Sequence, residues 1–556
     1  MSSNFSVMTA VSTFRTYWQT LRYLRPVQFY GRAWFKLARP RPDMRTAPSV
    51  RARSGPWVSP ARRLPSLTGP SGFRFLNEEH SFAEVGWDSP AVEKLWRYNL
   101  HYFDDLNSVE ADSRTEWHRS LLARWVEENP PAFGTGWEPY PTSVRIVNWV
   151  KWALDGNVLA PECVHSLAVQ ARWLAKRLEW HLLGNHLFVN AKALIFSGLY
   201  FSGPEADQWL ETGVHILARE IPEQILGDGG QFERSPMYHA LALEDVLDLC
   251  NVLKAFHHSV PEQWRGIVDG LTKVVGRMRH WLVVMSHPDG EISLFNDAAF
   301  GIAPSPEQLD AYARRIGFPA LVHLPNGVTH LAQSGYVRVQ RGPLVAFLDV
   351  APIGPDYMPG HAHADTLSFE LSLHGHRVVV NGGTSRYGLG SERLRERETS
   401  AHSTVEVAGQ SSSDVWGGFR VGRRAYPFDL ETGRDRESFW VGCSHDGYTH
   451  LPGKPVHRRE WKMTENGLSV TDHVTGHDEL SVARYILAPT IRVSEVGEDV
   501  WSLALPGGKI VCFRVLRGRT AMEVARYAPE FGKVLETRCL AVKLVAGQAK
   551  ISLMWS

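Results

Sequence analysis

The hydrophobic pattern of this chain changes period near residue 325. From about Pro90 to Phe318, apolar residues recur at intervals of three and four, as in Leu121, Leu122, Trp125 and Val126, or in Val246, Leu247, Leu249, Val252 and Leu253. That spacing lines one face of an α-helix. Pro and Gly cut the segment into helices of roughly 15 to 20 residues. Beyond Leu331 the period becomes two, in Tyr336 to Gln340, Leu344 to Val350, His376 to Val380 and Lys509 to Val515. Closely spaced turn residues between these runs predict an antiparallel β-sandwich. The expected organisation is α+β and multidomain: an N-terminal extension over 1–75, a helical domain over 76–325 and a β-sandwich domain over 326–556. Pro325-Asn326-Gly327 is the candidate hinge. Periodicity alone accommodates either a plain helical bundle or helix pairs curled into an (α/α) toroid.

Ahead of the helical region, Tyr17, Trp18, Leu21, Leu24 and Phe29 are interleaved with Arg and Pro. They form either a strap packed on the main body or a membrane-surface element. No run of basic residues followed by a continuous apolar stretch and a small-residue cleavage site occupies Met1 to Thr20, so the literal address is cytoplasmic. No apolar stretch reaches transmembrane length.

Alternation also marks Leu367, Phe369, Leu371 and Leu373. Extended backwards with the same parity, the strand would put His361, His363 and Asp365 on the apolar face. Burying two imidazoles and a carboxylate is costly unless each has a partner, a metal or a substrate. This stretch is therefore the first candidate site. A second is Asn185-His186, where one helix stops at Gly184 and the next begins; the Asn either caps that helix or faces a cleft. In a third, Glu233-Arg234-Ser235-Pro236-Met237-Tyr238-His239, Ser235 is a candidate N-cap and Pro236 the first helical residue. Tyr238 and His239 would then lie in the first turn, where the helix N-terminus eases formation of a phenolate.

These blocks, together with Asn381-Gly-Gly-Thr384-Ser-Arg386-Tyr387 and Ala401-His402-Ser-Thr404, resemble the motifs of heparinase II/III-like polysaccharide lyases in order and spacing, over roughly residues 95 to 425. The resemblance implies a toroid followed by the sandwich, and β-elimination on an acidic, uronate-containing polysaccharide or oligosaccharide. It implies that Tyr238 and His361 share base and acid work, while Asn185 and His186 neutralise the substrate carboxylate. Two departures stand out: the family more usually has a second Asn where this chain has Gly184, and Asp where it has Asn381. His363, Asn381 and His402 correspond to a metal-binding set, so one structural divalent ion, zinc or calcium, competes with a hydrogen-bonded polar cluster as the expectation; no organic cofactor is implied. Secreted members carry export signals, so the resemblance also admits a periplasmic or secreted location.

Lys+Arg 60 against Asp+Glu 59 leaves no global field to gather a polyanion, so local clusters must do it. Arg386, Arg393, Arg395, Arg397, Arg420, Arg423 and Arg424 form either a carboxylate- or sulfate-binding surface or a solvated face paired with Glu392, Glu396 and Glu398. Glu233, Arg234, His239, Arg386, Arg393 and Arg397 are the candidate substrate contacts. Trp137, with Trp87 and Trp180, is the candidate stacking wall for sugar rings. No basic-aromatic nucleic-acid module is present. The five cysteines include no C-x-x-C pair, which argues against a cysteine-zinc site. The alternative is a glycoside hydrolase or other glycan-modifying enzyme of surface polysaccharide biosynthesis; a hydrolase would need two opposed carboxylates, with Glu138, Glu233, Asp356 and Asp365 as candidates. A glycan-binding protein without turnover is the third reading.

Overall fold

The computed structural model describes residues 14–321, 324–476 and 480–556. Residues 1–13, which carry most of the stretch read for an export signal, lie outside it. Nine helices of nine or more residues run from Lys94–Tyr102 to Pro306–Ile316 among the described residues. Five of them start on a proline, at Pro139, Pro161, Pro204, Pro236 and Pro306. Proline's fixed φ suits the first helical position, where its missing N–H costs nothing. Adjacent helices pack closely through glycine: a Cβ on Gly198 would lie 2.6 Å from Leu210 N, and one on Gly213 2.7 Å from Ala191 O. The helical body also encloses ion pairs, since Lys192 Nζ reaches Asp245 and Asp248 at 2.7 and 2.6 Å and Lys151 pairs with Asp248 as well.

The described residues of the second half form three large antiparallel sheets and a two-stranded one, Val415–Trp416 with Arg420–Val421. A five-stranded meander runs in sequence order from Gly327–Leu331 to His376–Val379, with Tyr336 opposite Asp349 and Leu344 opposite Leu373. An eight-stranded sheet and a four-stranded sheet complete this layer. No described helix is long and apolar enough to cross a membrane. A small three-stranded sheet, Leu67–Gly69, Gly72–Phe75 and Glu78–Ser81, lies across the expected boundary at 75. Its turn residue Asn77 donates to Phe531 O at 2.9 Å, so this segment ties the N-terminal region to the sheets and is more than a strap.

The strand expected from His361 onward is shorter than its alternation implies. Only Phe369–Leu373 is extended, and residues 359–368 form an irregular loop with Leu367 at φ 61°. The alternation persists because both faces of that strand are buried: Glu370 and Ser372 point at His287, whose two ring nitrogens they meet at 2.7 Å. The loop is held from below by Arg459, which donates to Leu367 O and Ser403 O at 3.0 and 2.7 Å and pairs with Asp472.

Burial works against the Asp472 charge, but Arg459 and His457 hold its pKa down to about 2. A carboxylate depressed in this way stabilises the fold above the unfolded-chain value of about 3.9, and the contribution is lost as pH falls toward the folded value. Stability of the sheet half is therefore expected to decline between about pH 4 and pH 2. Arg459→Met, which strands a buried carboxylate, is expected to cost about 3–5 kcal/mol. Thermal unfolding of the full chain at neutral pH checks this; an unchanged midpoint would show that Asp472 finds another partner.

Candidate active site

Ser235 caps the helix Pro236–Ala255, its hydroxyl oxygen accepting from Tyr238 N at 3.1 Å. Tyr238 thereby leaves the helix at its first turn, and its ring stacks on His361 with centroids 3.9 Å apart. His361 comes from the irregular loop of the sheet half. Its Nδ1 meets Asp297 Oδ2 at 2.8 Å, so the carboxylate holds the Nδ1–H tautomer and leaves Nε2 as the free acceptor. That nitrogen lies 3.8 Å from Glu233 Oε2 at the edge of the site.

Asp297, which the motifs did not indicate, is the centre of this arrangement. Its carboxylate also takes His363 Nε2 at 2.8 Å and both terminal nitrogens of Arg393. Burial would raise its pKa, but the Arg393 charge and these bonds hold it well below the usual carboxylate range. Tyr238 shifts the other way. Burial, reinforced by Tyr387 with its hydroxyl 2.9 Å from that of Tyr238, lifts the phenol well above the ordinary tyrosine range. The helix N-terminus does not supply the expected phenolate, and Tyr238 rests here as a neutral proton donor.

The helical wall contributes Asn185 and His186 from the start of Gly184–Tyr200. Asn185 is half-buried, and its side chain has no hydrogen-bond partner among the described residues. His186 Nδ1 meets Glu179 Oε1 at 3.1 Å, and its ring lies 4.6 Å from that of Tyr140. Burial disfavours the imidazolium, but Glu179, with Glu233 and Glu138 farther off, outweighs it, and the His186 pKa is raised. Gly184 has φ 53° and abuts Met358, whose thioether fills the space of any side chain there. The chain thus puts an apolar group where the resemblance places a second amide.

Several expected contacts lie elsewhere. Trp137 is buried beside Trp125 and donates to Asn129 O at 3.2 Å; Trp87 is buried too, and Trp180 is half-buried under Arg219. The exposed edge of this wall is instead formed by half-buried tyrosines, Tyr98, Tyr102 and Tyr140, spaced 6.2 and 6.0 Å centroid to centroid and leading to His186. The i, i+4 spacing of Tyr98 and Tyr102 was the available signal. His239 is fully buried between Met278 O, Gln231 N and the Trp281 ring. Arg234 turns away to donate to Ser334 O. Arg393 and Arg397 are fully buried, Arg393 on Asp297 and Arg397 on the carbonyls of Ala362 and Arg420. Arg423 and Arg424 are likewise paired, Arg423 on the carbonyls of Ser411 and Ser412 and Arg424 on the exposed carboxylate of Asp356. Arg386 is exposed and pairs with Glu93 at 3.2 Å across the two halves. The arginine cluster is therefore largely a scaffold.

His363, Asn381 and His402 do come together, but as a hydrogen-bonded row. His363 Nδ1 faces His402 Nε2 at 3.3 Å, while Asn381 meets the other nitrogen of His402 at 3.3 Å. With Asp297 accepting from His363 Nε2, His363 Nδ1 must accept from His402 Nε2–H. His402 Nδ1 then needs a donor, which Asn381 supplies once its amide is turned to bring its otherwise unpaired Nδ2 inward. The three donors do not converge on one point and include no carboxylate, and no group of three or more His, Cys, Asp or Glu among the described residues could hold a metal ion. The residues present do not fit a divalent ion.

Two family models match the chain, "Heparinase II/III N-terminus" over residues 10–313 and "Heparinase II/III-like, C-terminal" over residues 324–554. FtsZ-localized protein C of Caulobacter vibrioides is 25% identical over 486 residues, 81% of this chain and 77% of that protein. A heparin-sulfate lyase of Pedobacter heparinus is 26% identical over 329 residues, 52% of this chain and 47% of the lyase, so the match spans under half of that relative's length. The crystal structure of heparinase III superposes with a TM-score of 0.67 at 18% identity, covering 84% of this chain and 78% of the other.

The Glu179–His186 pair yields a direct measurement. With the carboxylate present, NMR titration of labelled histidines should place His186 above the ordinary histidine midpoint of about 6.5. In Glu179→Gln the strongest opposing carboxylate is lost, leaving burial against only the more remote Glu233 and Glu138, and the midpoint should fall. A midpoint that does not move would mean that another group carries the charge balance.

Proposed function

This chain belongs to the heparinase II/III-like family, and from that premise we propose that it cleaves an acidic, uronate-containing polysaccharide by β-elimination. The observation that carries the reading is the contact of Tyr238 with His361, a neutral phenol stacked on an imidazole whose tautomer Asp297 sets. Elimination needs a base for the weakly acidic C5 proton, an acid for the leaving O4, and relief of the adjacent carboxylate's charge as the carbanion develops. His361 Nε2 takes the C5 proton. The electron pair forms the C4–C5 double bond as the C4–O4 bond breaks, and Tyr238 gives its proton to O4. Tyr387 is placed to donate to the transient phenolate until the His361 proton returns through solvent. The Asn185 amide and the His186 imidazolium bind the uronate carboxylate. Tyr98, Tyr102 and Tyr140 offer faces for neighbouring sugar rings.

Hydrolysis fits less well. Glu138 is paired with Lys94 and bonded by Tyr98, Asp356 is paired with Arg424, and Asp365 is buried under Asn296 N. Of these four only Glu233 lies beside His361, and Asp297, the other carboxylate there, is held by Arg393, so no opposed pair like a glycosidase's is found among the described residues. A second reading, glycan binding without turnover, draws on Met358 filling the place of an amide donor at Gly184 and on a relative named for its localisation with FtsZ.

A panel of uronate polymers, including the heparin-type substrates named for relatives, separates these readings. Lyase action should produce ultraviolet-absorbing unsaturated ends. His361→Ala and Tyr238→Phe should each lower kcat by about 10²- to 10⁴-fold, and Tyr140→Ala should chiefly raise KM, by about three- to tenfold. Saturated ends only would exclude elimination; binding unchanged in both variants with no turnover would favour the second reading. Because Asn381 replaces a carboxylate in a set that does not converge, activity and melting temperature should survive chelation. Stoichiometric zinc or calcium in the purified protein would contradict this.

A further inference from the structure

The N-terminal helices have two distinct faces. On the inner face of Pro26–Leu37, Gln28 donates to Tyr357 O at 3.1 Å, Gly31 lies against His181, and the Phe35 ring is sandwiched between His181 and Arg177. The preceding helical residues, 14–21, are fastened to the sheet half, with Tyr17 edge-on to Trp416 and Thr20 accepting from the Trp416 indole. Both helices are therefore docked and ordered. Their outer faces carry Trp18, Leu21, Phe29, Tyr30, Trp34 and Leu37, and Trp34 and Leu37 are 71% and 79% exposed. Positions 29, 30, 33, 34 and 37 fall on one side of a helix, so this is a continuous apolar stripe and not scattered side chains.

Charge identifies what covers it. Residues 14–42 hold seven Lys or Arg and no Asp or Glu, in a chain whose net charge is only +1. Arg25 is paired with Glu223, while exposed Arg15, Arg22, Arg32, Lys36, Arg39 and Arg41 have no acidic partner among the described residues. A second copy would bring the same cationic segment face to face with itself, at a repulsive cost. An apolar aromatic stripe flanked by unpaired cations matches one surface in both respects, the headgroup region of an anionic bilayer, which takes up rings and attracts Lys and Arg. We propose that residues 14–41 dock this protein peripherally on anionic lipid membranes.

The test is co-sedimentation of the full-length protein with vesicles of mixed phosphatidylglycerol and phosphatidylcholine, and with vesicles of phosphatidylcholine alone. Binding is expected on the anionic vesicles, about tenfold weaker on the neutral ones, and decreasing as salt screens the surface. Trp18→Glu combined with Trp34→Glu should lower partition on anionic vesicles by about tenfold, with unchanged thermal unfolding because both rings point outward. Arg32→Glu combined with Lys36→Glu should weaken binding and flatten its salt dependence. Absence of binding to anionic vesicles, equal binding by wild type and both double variants, or a solution dimer that Trp34→Glu dissociates would each overturn the proposal.

Discussion

The structure around the candidate site depends on one buried carboxylate. Asp297 lies in the loop that joins the helices Arg265–Val284 and Pro306–Ile316, and it is bonded through every polar atom it has. Its N–H donates to His361 O at 2.9 Å, its carbonyl accepts from the Ser235 hydroxyl, and its side chain takes His361, His363 and Arg393. Ser235 in turn caps the helix that carries Tyr238. A single residue thus fixes the height of the phenol, the tautomer of the imidazole and the seat of the helix Ser391–Arg397. A charge buried this deeply is tolerable only when its partners are all present, so the same contacts that hold the charge also specify the site.

The buried arginines follow the same logic. Arg145, Arg393, Arg397 and Arg459 are all fully enclosed, and the last three donate to backbone carbonyls of irregular segments. Loops without regular structure leave carbonyls unpaired, and guanidinium groups satisfy several at once. Much of what reads along the chain as a positively charged surface, Arg393 and Arg397 above all, holds the loop of the candidate site together, while Arg386 and Arg420 stay exposed. The candidate site is left with the Asn185 amide, the imidazoles of His186 and His361 and the phenols of Tyr238 and Tyr387.

The change of period near residue 325 located the change of architecture, and the Ser235–Pro236 start signal located Tyr238 on its helix, because both are local properties of sequence. The motif blocks likewise brought Tyr238, His361, Asn185 and His186 to one region. What stayed hidden depended on depth. The arginines and Trp137 look alike in sequence whether they face solvent or a carbonyl. Asp297 sits in no motif, and its role arises only from three partners 64 to 96 residues away in the chain. The strand does not extend back to His361, and its alternation does not separate a dry face from a wet one, since Glu370 and Ser372 are polar residues buried on His287.

The two departures at Gly184 and Asn381 are structurally accommodated, and this bears on how the site is coupled to the rest of the chain. Asn381 completes a hydrogen-bonded row that ends on Asp297, so loss of a carboxylate there leaves the imidazoles supported. Met358 fills the space over Gly184, and its neighbour Tyr357 is gripped by the N-terminal helix: Arg25 lies 3.7 Å over the Tyr357 ring, Gln28 binds its carbonyl, and its hydroxyl donates to Glu223 at 2.8 Å. Tyr357 and Met358 begin the same loop that delivers His361 three residues later. The helix whose outer face is apolar and cationic therefore braces, through its inner face, the segment that shapes one wall of the cleft. That brace consists of two side chains, Arg25 and Gln28, on the ring and the carbonyl of one residue, Tyr357.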